Sequence, residues 1–378
     1  MIYSRIFFCI YISIIFHSAS VHSWGKLGHE IVANIAWSRL AAPTQDWITE
    51  ILSSDLVSFK AMNSSAGSPL ANVANWADIV RYTHEYHWSA PLHFVDIRDD
   101  EILNGCPIMD PESYGWKNDC HFLYERDCPH DVCVSGAIMN YSSLLLASSK
   151  VMSCTKDSMR VRRIQSDTSK RALASPLVSL KFLTHFVGDI HQPLHVSRKT
   201  DIGGNTIEVN FDPLLQNHDE ILLNELKSMK KRWNLHSVWD DGIIEKTLSE
   251  LFHGSREEFE KELIKQLDVY TADGELTLWL ICADGRRQDC TMQWAEESLE
   301  YALSWAYRNE HGNAIQEGDD IPDKYYRTRL PILQRRLVAA GVRLAMTLEL
   351  IHNEAICDKE IQQSSKKRLR SKQVTLIE

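Results

Sequence analysis

Apolar residues recur at helical spacing along most of the chain. Ile31, Ile35 and Leu40 fall broadly on one side of a first predicted helix, Gly28 to Leu40, and Pro43 separates it from a second ending near Leu52. Leu70 to Arg81 reads as a third, after a Ser/Gly/Pro loop at 63–69. Ala137 to Met152 and Leu173 to Gln192 are the longest central candidates, and Phe252 to Leu267, Trp294 to Tyr307 and Tyr325 to His352 close the chain. Leu330-Pro331 lies inside the last of these, so that helix is expected to begin near Pro331, a favoured first helical residue. The one good strand signal is Asn205 to Phe211, alternating in character after Gly203-Gly204. The Cys-, Pro- and Asp-rich stretch Cys106 to Cys133 reads as a disulfide-pinned loop, and 213–232 as a charged, Leu-bearing surface helix. With no repeat, low-complexity tract or linker, the simplest partition is one all-α domain.

The ends read differently. Arg5, an apolar run from Ile6 to Phe16, and small residues with Val21 and Ser23 at the −3 and −1 sites describe a secretory signal over 1–23, with Trp24 first after cleavage. The run is too short to span a bilayer, and no later stretch reaches about 18 apolar residues. Losing Cys9 with the signal leaves eight cysteines of nine, an even count that favours disulfides in a secreted chain. Cys128 with Cys133, and Cys282 with Cys290, are close enough for local pairs, whereas no CxxC suggests a zinc-thiolate site. Asn63-Ser64-Ser65 and Asn140-Tyr141-Ser142 are glycosylation acceptors. The net charge of −10 argues against a duplex-binding module that neutralises many phosphates, but not against an enzyme whose bound cations meet phosphate locally. The basic run Lys366 to Arg370 belongs to a solvated tail, 356–378, beyond a domain expected over 24–355.

The candidate chemistry concentrates in Thr184-His185-Phe186-Val187-Gly188-Asp189-Ile190-His191-Gln192-Pro193-Leu194-His195. Imidazole and carboxylate are ligands that zinc selects. His185 and Asp189 are four apart and project from one helix face. His195 lies six beyond Asp189, about 240° around a straight helix, so one helix cannot aim all three at one ion. Either Pro193 redirects the chain or His195 serves a second ion nearby.

Four further places supply ligand types. Trp24-Gly25-Lys26-Leu27-Gly28-His29 sets a histidine beside the expected new N-terminus, whose α-amine, with a pKa of about 7.7–8.0, loses its proton to a cation easily. Trp76-Ala77-Asp78 ends a helix with a carboxylate, Pro91 to Asp96 carries His93 and a further acid, and His236 to Asp240 repeats the His-x₃-Asp spacing. Each has a plainer explanation: a helix-face ion pair, a satisfied core histidine, a surface acid, a core aromatic. Their combination in one chain points to metal.

In these residues and their order the chain resembles the secreted zinc-dependent type I nucleases of fungi and plants, which also act as 3′-nucleotidases. The resemblance runs from Trp24 to about Leu350 and is carried by WGKLGHEIVANIA, WADIVR, PLHFVD, CVSGAIMNYS, FLTHFVGDIHQPLH, GGNTIEV, NLHSVWD and RLPILQRRLVAAGVRLA, in that order. It implies a mainly helical fold shared with zinc-dependent phospholipase C, with a small β-hairpin, and three zinc ions in a cleft. Position by position, it implies one ion on Asp78, His93, His185 and Asp189, a close neighbour on the Trp24 amine and carbonyl, His29 and the shared Asp189, and a third on His195, His236 and Asp240. His191 is not a ligand in that pattern and is expected to support or pack.

The resemblance also implies in-line attack of a zinc-activated water on phosphorus, with 5′-phosphate products and Asp78 both ligand and aid to orienting the water. Arg81 stands where relatives carry a phosphate-facing lysine, and Asn205 matches another position near the phosphate. Phe94 and Asp96 match the base pocket, Phe94 stacking on an unpaired base for about 1–3 kcal/mol and Asp96 accepting from an exocyclic amine. The expected substrates are single-stranded RNA and DNA and 3′-nucleotides, handled by a monomer that is secreted or held in the secretory or vacuolar lumen. The competing readings are a zinc-dependent phospholipase C, a non-catalytic zinc-binding protein, and a specialised 3′-nucleotidase.

Overall fold

The computed structural model describes residues 24–54, 66–101, 120–155, 175–213, 232–280 and 287–374. Asn63, Cys106, Cys282 and the expected surface helix across 214–231 lie outside the described residues. In chain order the main elements are α1 (Lys26–Arg39), α2 (Ala42–Leu52), α3 (Ala71–Ala74), α4 (Trp76–Val80), β1 (Val95–Ile97), α5 (Val134–Thr155), α6 (Pro176–Asp189), β2 (Val196–Arg198), β3 (Glu208–Val209), β4 (Trp233–Asn234), α7 (Ile243–Leu251), α8 (Arg256–Ala272), α9 (Glu275–Leu280), α10 (Arg287–Tyr301) and α11 (Asp323–Val374). The architecture is mainly helical, as the apolar periodicity predicts. No helix among the described residues is long and apolar enough to cross a membrane.

Helix α6 is the axis of the molecule. Pro176 opens it and Ser175 caps it, the Ser175 hydroxyl accepting from the Val178 N–H at 3.1 Å. Every side chain from Ser179 to Asp189 is buried, so this helix is enclosed on all sides rather than amphipathic. α5 packs along it, with Tyr141 over Phe182 at 4.7 Å between ring centres and Phe182 stacked on Phe186 at 5.2 Å. α1, α3, α4 and α11 cover the other sides. Leu333, Leu337, Val338, Leu344, Leu348 and Ile351 give α11 its buried stripe, each such side chain worth about 1.5–3 kcal/mol when fully buried.

Several boundaries differ from the sequence pattern, each for a local reason. The expected helix over 70–81 breaks at Asn75 (φ −92°, ψ 6°) into α3 and α4. The expected helix over 294–307 starts earlier, at Arg287, and finishes in a π-helical turn, Ala302–Ala306. Pro331 lies within α11, about two turns past its start, instead of opening it; it removes one internal bond, and Arg329 in the turn before it donates to the Trp305 and Asn309 carbonyls at 3.2 Å. The backbone of the basic tail continues α11 as far as Val374.

The expected strand over 205–211 contracts to Glu208–Val209, because residues 201–206 are turned. It pairs antiparallel with β4, but a long connection rather than a tight hairpin turn joins the two. A second pair, β1 with β2, is parallel and matches Val95 with Val196 and Asp96 with Ser197; strands of three residues are too short to leave a period of their own in the sequence. Cys128 and Cys133 form a disulfide, and Cys120 is also disulfide-bonded. Cys290 is buried. Asn140 is exposed on α5, whereas Ser142 two residues on is buried.

Candidate metal centre

The C-terminal end of α6 gathers the site. His185 and Asp189 lie one turn apart with no exposure, and the His185 Nε2 stands 3.2 Å from Asp189 Oδ2. His93, at the end of a 3₁₀ segment His87–His93, brings its Nδ1 within 3.0 Å of the same oxygen. His29 of α1 approaches the other oxygen, with Nε2 3.2 Å from Oδ1. Asp78, from α4, places Oδ1 3.5 Å from His185 Nε2 and 3.6 Å from His93 Nδ1. The helix break at Asn75 serves this arrangement: it leaves the Ala74 carbonyl available, and His185 Nδ1 donates to it at 2.7 Å.

A second group forms where the chain turns after α6. Pro193 starts a 3₁₀ turn that delivers His195, and the segment Leu235–Ser237 with a π-helical turn, Val238–Gly242, delivers His236 and Asp240. The two Nε2 atoms are 3.1 Å apart, and Asp240 stands 3.3 Å from His236 and 3.8 Å from His195. Pro193 thus redirects the chain, and His195 stands with His236 and Asp240. His195 Nδ1 is still 3.9 Å from Asp189 Oδ1, so the groups adjoin.

Carbonyl oxygens set the ring tautomers. His195 Nδ1 donates to His93 O at 2.8 Å and His236 Nδ1 to Gly203 O at 2.7 Å. Each leaves an Nε2 lone pair aimed at its group, as metal-ligating imidazoles require. The Gly203 carbonyl is presented by a loop in which Gly203 and Gly204 have φ of 62° and 78°, a backbone that glycine adopts without a Cβ penalty.

These residues fit a metal on three counts. Ligand atoms sit 3.0–3.6 Å apart around Asp189 and Asp78, against about 3.3 Å for the edge of a tetrahedron with zinc–nitrogen bonds of about 2.0–2.1 Å. Imidazole nitrogens face one another at 3.0 and 3.1 Å, where a shared cation resolves opposed lone pairs. Neither Asp189 oxygen receives a donor with hydrogen-bond geometry, although both are buried.

The electrostatics agree. Burial works against charge on His185, yet Asp189 and Asp78 together raise it to about 10. Burial alone would raise the Asp78 and Asp189 carboxyls, but His185 foremost holds both well below the usual range. Burial lowers His93 to about 4 and also lowers His29 and His195. Asp240 is pushed well up by burial, with Asp241 adding to it. The first group is thus a buried negative site that draws positive charge, and the second needs a cation before its carboxyl ionises.

Trp24 is buried, and the adjoining Gly25 N–H donates to the Asp240 carbonyl at 3.1 Å, so the expected mature terminus lies beside the centre. Arg81 is buried with Nη1 3.4 Å from Asp78 Oδ1, and it donates to the Tyr82 hydroxyl at 3.2 Å. Asn205 donates its amide to Ile202 O and accepts from Asn234, which spends part of the amide within its own loop. Phe94 and Asp96 line a pocket with Ser197, Lys199, Ile202 and His236, so the pocket opens onto the second group. Burial raises Asp96 to about 6 in spite of Lys199.

Sequence reasoning missed Gln192, Lys199 and Ile202. Gln192 donates to Asp240 Oδ1 at 2.7 Å and stands within the HQPLH segment, where its position between two ligand units was the available signal. Lys199 and Ile202 reach the pocket only through the β1–β2 pairing, which has no sequence signature.

Comparison with known proteins places the chain in a family. The model of the S1/P1 nuclease family matches residues 24–353. The chain belongs to the S1/P1 nuclease family. Among its relatives are Endonuclease 2 of Arabidopsis thaliana, 32% identical over 343 residues that cover 89% of this chain and 93% of the relative. Nuclease S1 of Aspergillus oryzae is 29% identical, covering 88% and 93%, and Nuclease P1 of Penicillium citrinum is 29% identical, covering 88% and 99%. The S1/P1 match begins at Trp24, beside the first ligand group.

Proposed function

We propose that this chain is a zinc-dependent endonuclease that hydrolyses phosphodiesters of single-stranded RNA and DNA to 5′-phosphates and also acts on 3′-nucleotides. One ion would be held by Asp78, His93, His185 and Asp189, a second by the Trp24 amine and carbonyl, His29 and Asp189, and a third by His195, His236 and Asp240. The observation that carries this reading is the division of Asp189: one oxygen faces His29 and the other faces His93 and His185. A grouping of His29 with Asp78 and His185 also lies within ligand reach, and the His29 and His185 rings stack at 3.8 Å. The Asp189 oxygens favour the division between His29 and the His93–His185 pair because their contacts are the shorter ones.

Bound zinc would supply Lewis acidity toward phosphoryl oxygens and a water acidified toward about pH 7. The chain supplies the rest. Asp78, held ionised, would orient the attacking water by accepting a hydrogen bond from it. Arg81, adjoining that carboxylate, offers a planar fork to a phosphate oxygen, and Asn205 adds an amide donor. Phe94 stacks on the base and Asp96 accepts from its edge. Because His236 belongs to the second ligand group and lines the pocket, a base seated on Phe94 delivers its 3′ ester to the ligands. A base must leave its duplex to stack there, so single strands are the preferred substrate.

The base pocket favours this reading over a phospholipase C, whose lipid substrate has no planar ring to stack. All the ligand groups come from one chain, so a monomer suffices. The Cys128–Cys133 disulfide suits a secreted or lumenal enzyme. The test is a short single-stranded oligonucleotide offered with and without its complement to mature, zinc-loaded protein, with products identified at their ends. The expected result is 5′-phosphate products and slower cleavage of the duplex; equal rates on both, or release of diacylglycerol from phosphatidylcholine without nucleotide release, would overturn the proposal.

A further inference from the structure

The pocket beside the second ligand group carries a cation that the proposed base contacts do not use. Phe94 and Asp96 flank Val95 on β1, and Val95 and Ile97 point into the core with exposures of 1% and 0%. That alternation turns Phe94 and Asp96 to the pocket side. Lys199 follows β2, and its N–H donates to Ile97 O at 3.0 Å, which extends the parallel ladder by one residue. Its neighbour Arg198 is committed elsewhere, lying over Tyr307 at 4.0 Å and bonding Asp201 at 2.6 Å. Lys199 lines the pocket, bonds the exposed Asp100 at 2.9 Å, and lies close enough to counteract the burial of Asp96. An ammonium carries three donors on a flexible four-carbon stem, so Lys199 can turn a donor toward a ligand atom in the pocket that it lines.

Ile202 lines the same pocket as Phe94 and is exposed at 51% although its backbone has φ 53°, a conformation that β-branched residues seldom adopt. The loop thus holds an apolar side chain at the lip, where it covers a flat group stacked on Phe94. A planar ring between Phe94 and Ile202 presents its edge to one acceptor and one cationic donor.

We propose that Lys199 is a specificity-determining residue that selects guanine in this pocket by donating to its O6 while Asp96 accepts from N1–H and N2–H. The inference rests on the nuclease reading of the site. Guanine places an acceptor beside two donors on one edge; adenine seated the same way turns an amino group toward the ammonium and a ring lone pair toward the carboxylate. Each mismatch leaves a charged group unpaired, which is what makes such sites discriminate.

The test measures kcat/KM at pH 7.5 for the dinucleotides GpA, IpA and ApA with zinc-loaded protein, for wild type and for the variants Lys199→Met, Lys199→Arg and Phe94→Ala. Wild type is expected to favour GpA and IpA over ApA by about tenfold, the worth of one charge-assisted hydrogen bond. Lys199→Met brings the three within about twofold by slowing GpA and IpA alone, and Lys199→Arg keeps the preference. A wild-type ratio near one, a preference for ApA, or a ratio unchanged in Lys199→Met overturns the role of Lys199. Phe94→Ala separates the two levels: a raised KM for every dinucleotide keeps the pocket reading whatever Lys199 does, and an unchanged KM means that the pocket reading itself fails.

Discussion

Arg343 donates from Nη1 to Nε2 of His191 across 2.9 Å. A guanidinium only donates, so the proton of His191 sits on Nδ1, which donates to Val187 O at 2.7 Å. Burial holds this imidazole well below its usual value and Arg336 and Arg343 lower it further, so it stays neutral. Arg336 donates to the His191 carbonyl at 3.0 Å and to Ser298, which in turn donates to Ile190 O. Glu297 holds both arginines, at 2.6 Å from Arg336 and 2.5 Å from Arg343. This clamp grips Ile190 and His191, two of the three residues between Asp189 and the turn that delivers His195, and so fixes the angle between the ligand groups.

Glu297→Ala is therefore expected to destabilise the fold by about 3–5 kcal/mol, since it leaves two buried guanidiniums without their carboxylate. Denaturant unfolding of zinc-free protein measures this independently of metal, and a loss under about 1 kcal/mol would contradict the clamp.

The same carboxylate sets an acid limit. Burial alone would raise the Glu297 carboxyl, but Arg336 and Arg343 hold it far below the usual range. A depressed folded value gives stability that is fully present above the unfolded value of about 4.3 and is lost as pH falls through the folded value. Wild-type stability should thus fall with pH from about pH 5 downward, and Glu297→Gln should flatten that slope while lowering stability at pH 7. Urea midpoints between pH 3 and pH 7 test both effects.

Removing Asp189 and removing His236 should have different metal signatures. Asp189→Ala takes away both the oxygen facing His29 and the one facing His93 and His185, so zinc content should fall by two ions per chain, with loss of activity by a factor of about 10³ or more. His236→Ala touches only the group with His195 and Asp240 and should cost one ion. Metal analysis after dialysis separates these outcomes; equal losses from both variants would refute the division at Asp189.

Asp96 links base binding to pH. Burial lifts it to about 6, so its carboxylate accepts hydrogen bonds above that pH and is protonated below. The KM for short oligonucleotides should rise as pH falls from 7 to 5, and Asp96→Asn should remove that dependence while leaving kcat within about threefold. A KM profile unchanged in Asp96→Asn would show that another group governs it.

Much of the helical frame and of the candidate site could be read from the chain because both rest on short spacings. The apolar period marks α1 and α6, and His185 with Asp189, or His236 with Asp240, meet on one face whatever surrounds them. The rest depends on contacts distant in sequence. Nothing in residues 70–81 signals that a helix must break at Asn75 so that Ala74 O can meet His185, 111 positions away. Likewise Arg336 and Arg343 read as the polar side of an amphipathic helix, and only the packing of α11 behind α6 turns them into a buried clamp. Pro331 misleads because proline favours the first position of a helix, whereas packing carries α11 from Asp323 straight through it.

Gly188 shows how closely α1 and α6 must approach for the ligands to meet. A Cβ at this position would lie 2.7 Å from Nδ1 and 3.0 Å from Cε1 of His29, and 3.8 Å from the Trp24 indole. Alanine is the better helix former by about 1 kcal/mol, so Gly188→Ala raises the propensity of α6 while pushing His29 off its line to Asp189. The two effects act on different observables. Helical content by circular dichroism should stay unchanged or rise, zinc content should fall by one ion per chain, and oligonucleotide cleavage should drop at least tenfold, since misplacing a reacting group by about 1 Å can cost about 10²-fold. Full zinc content with full activity in Gly188→Ala would mean that His29 does not bind metal through the nitrogen facing Asp189.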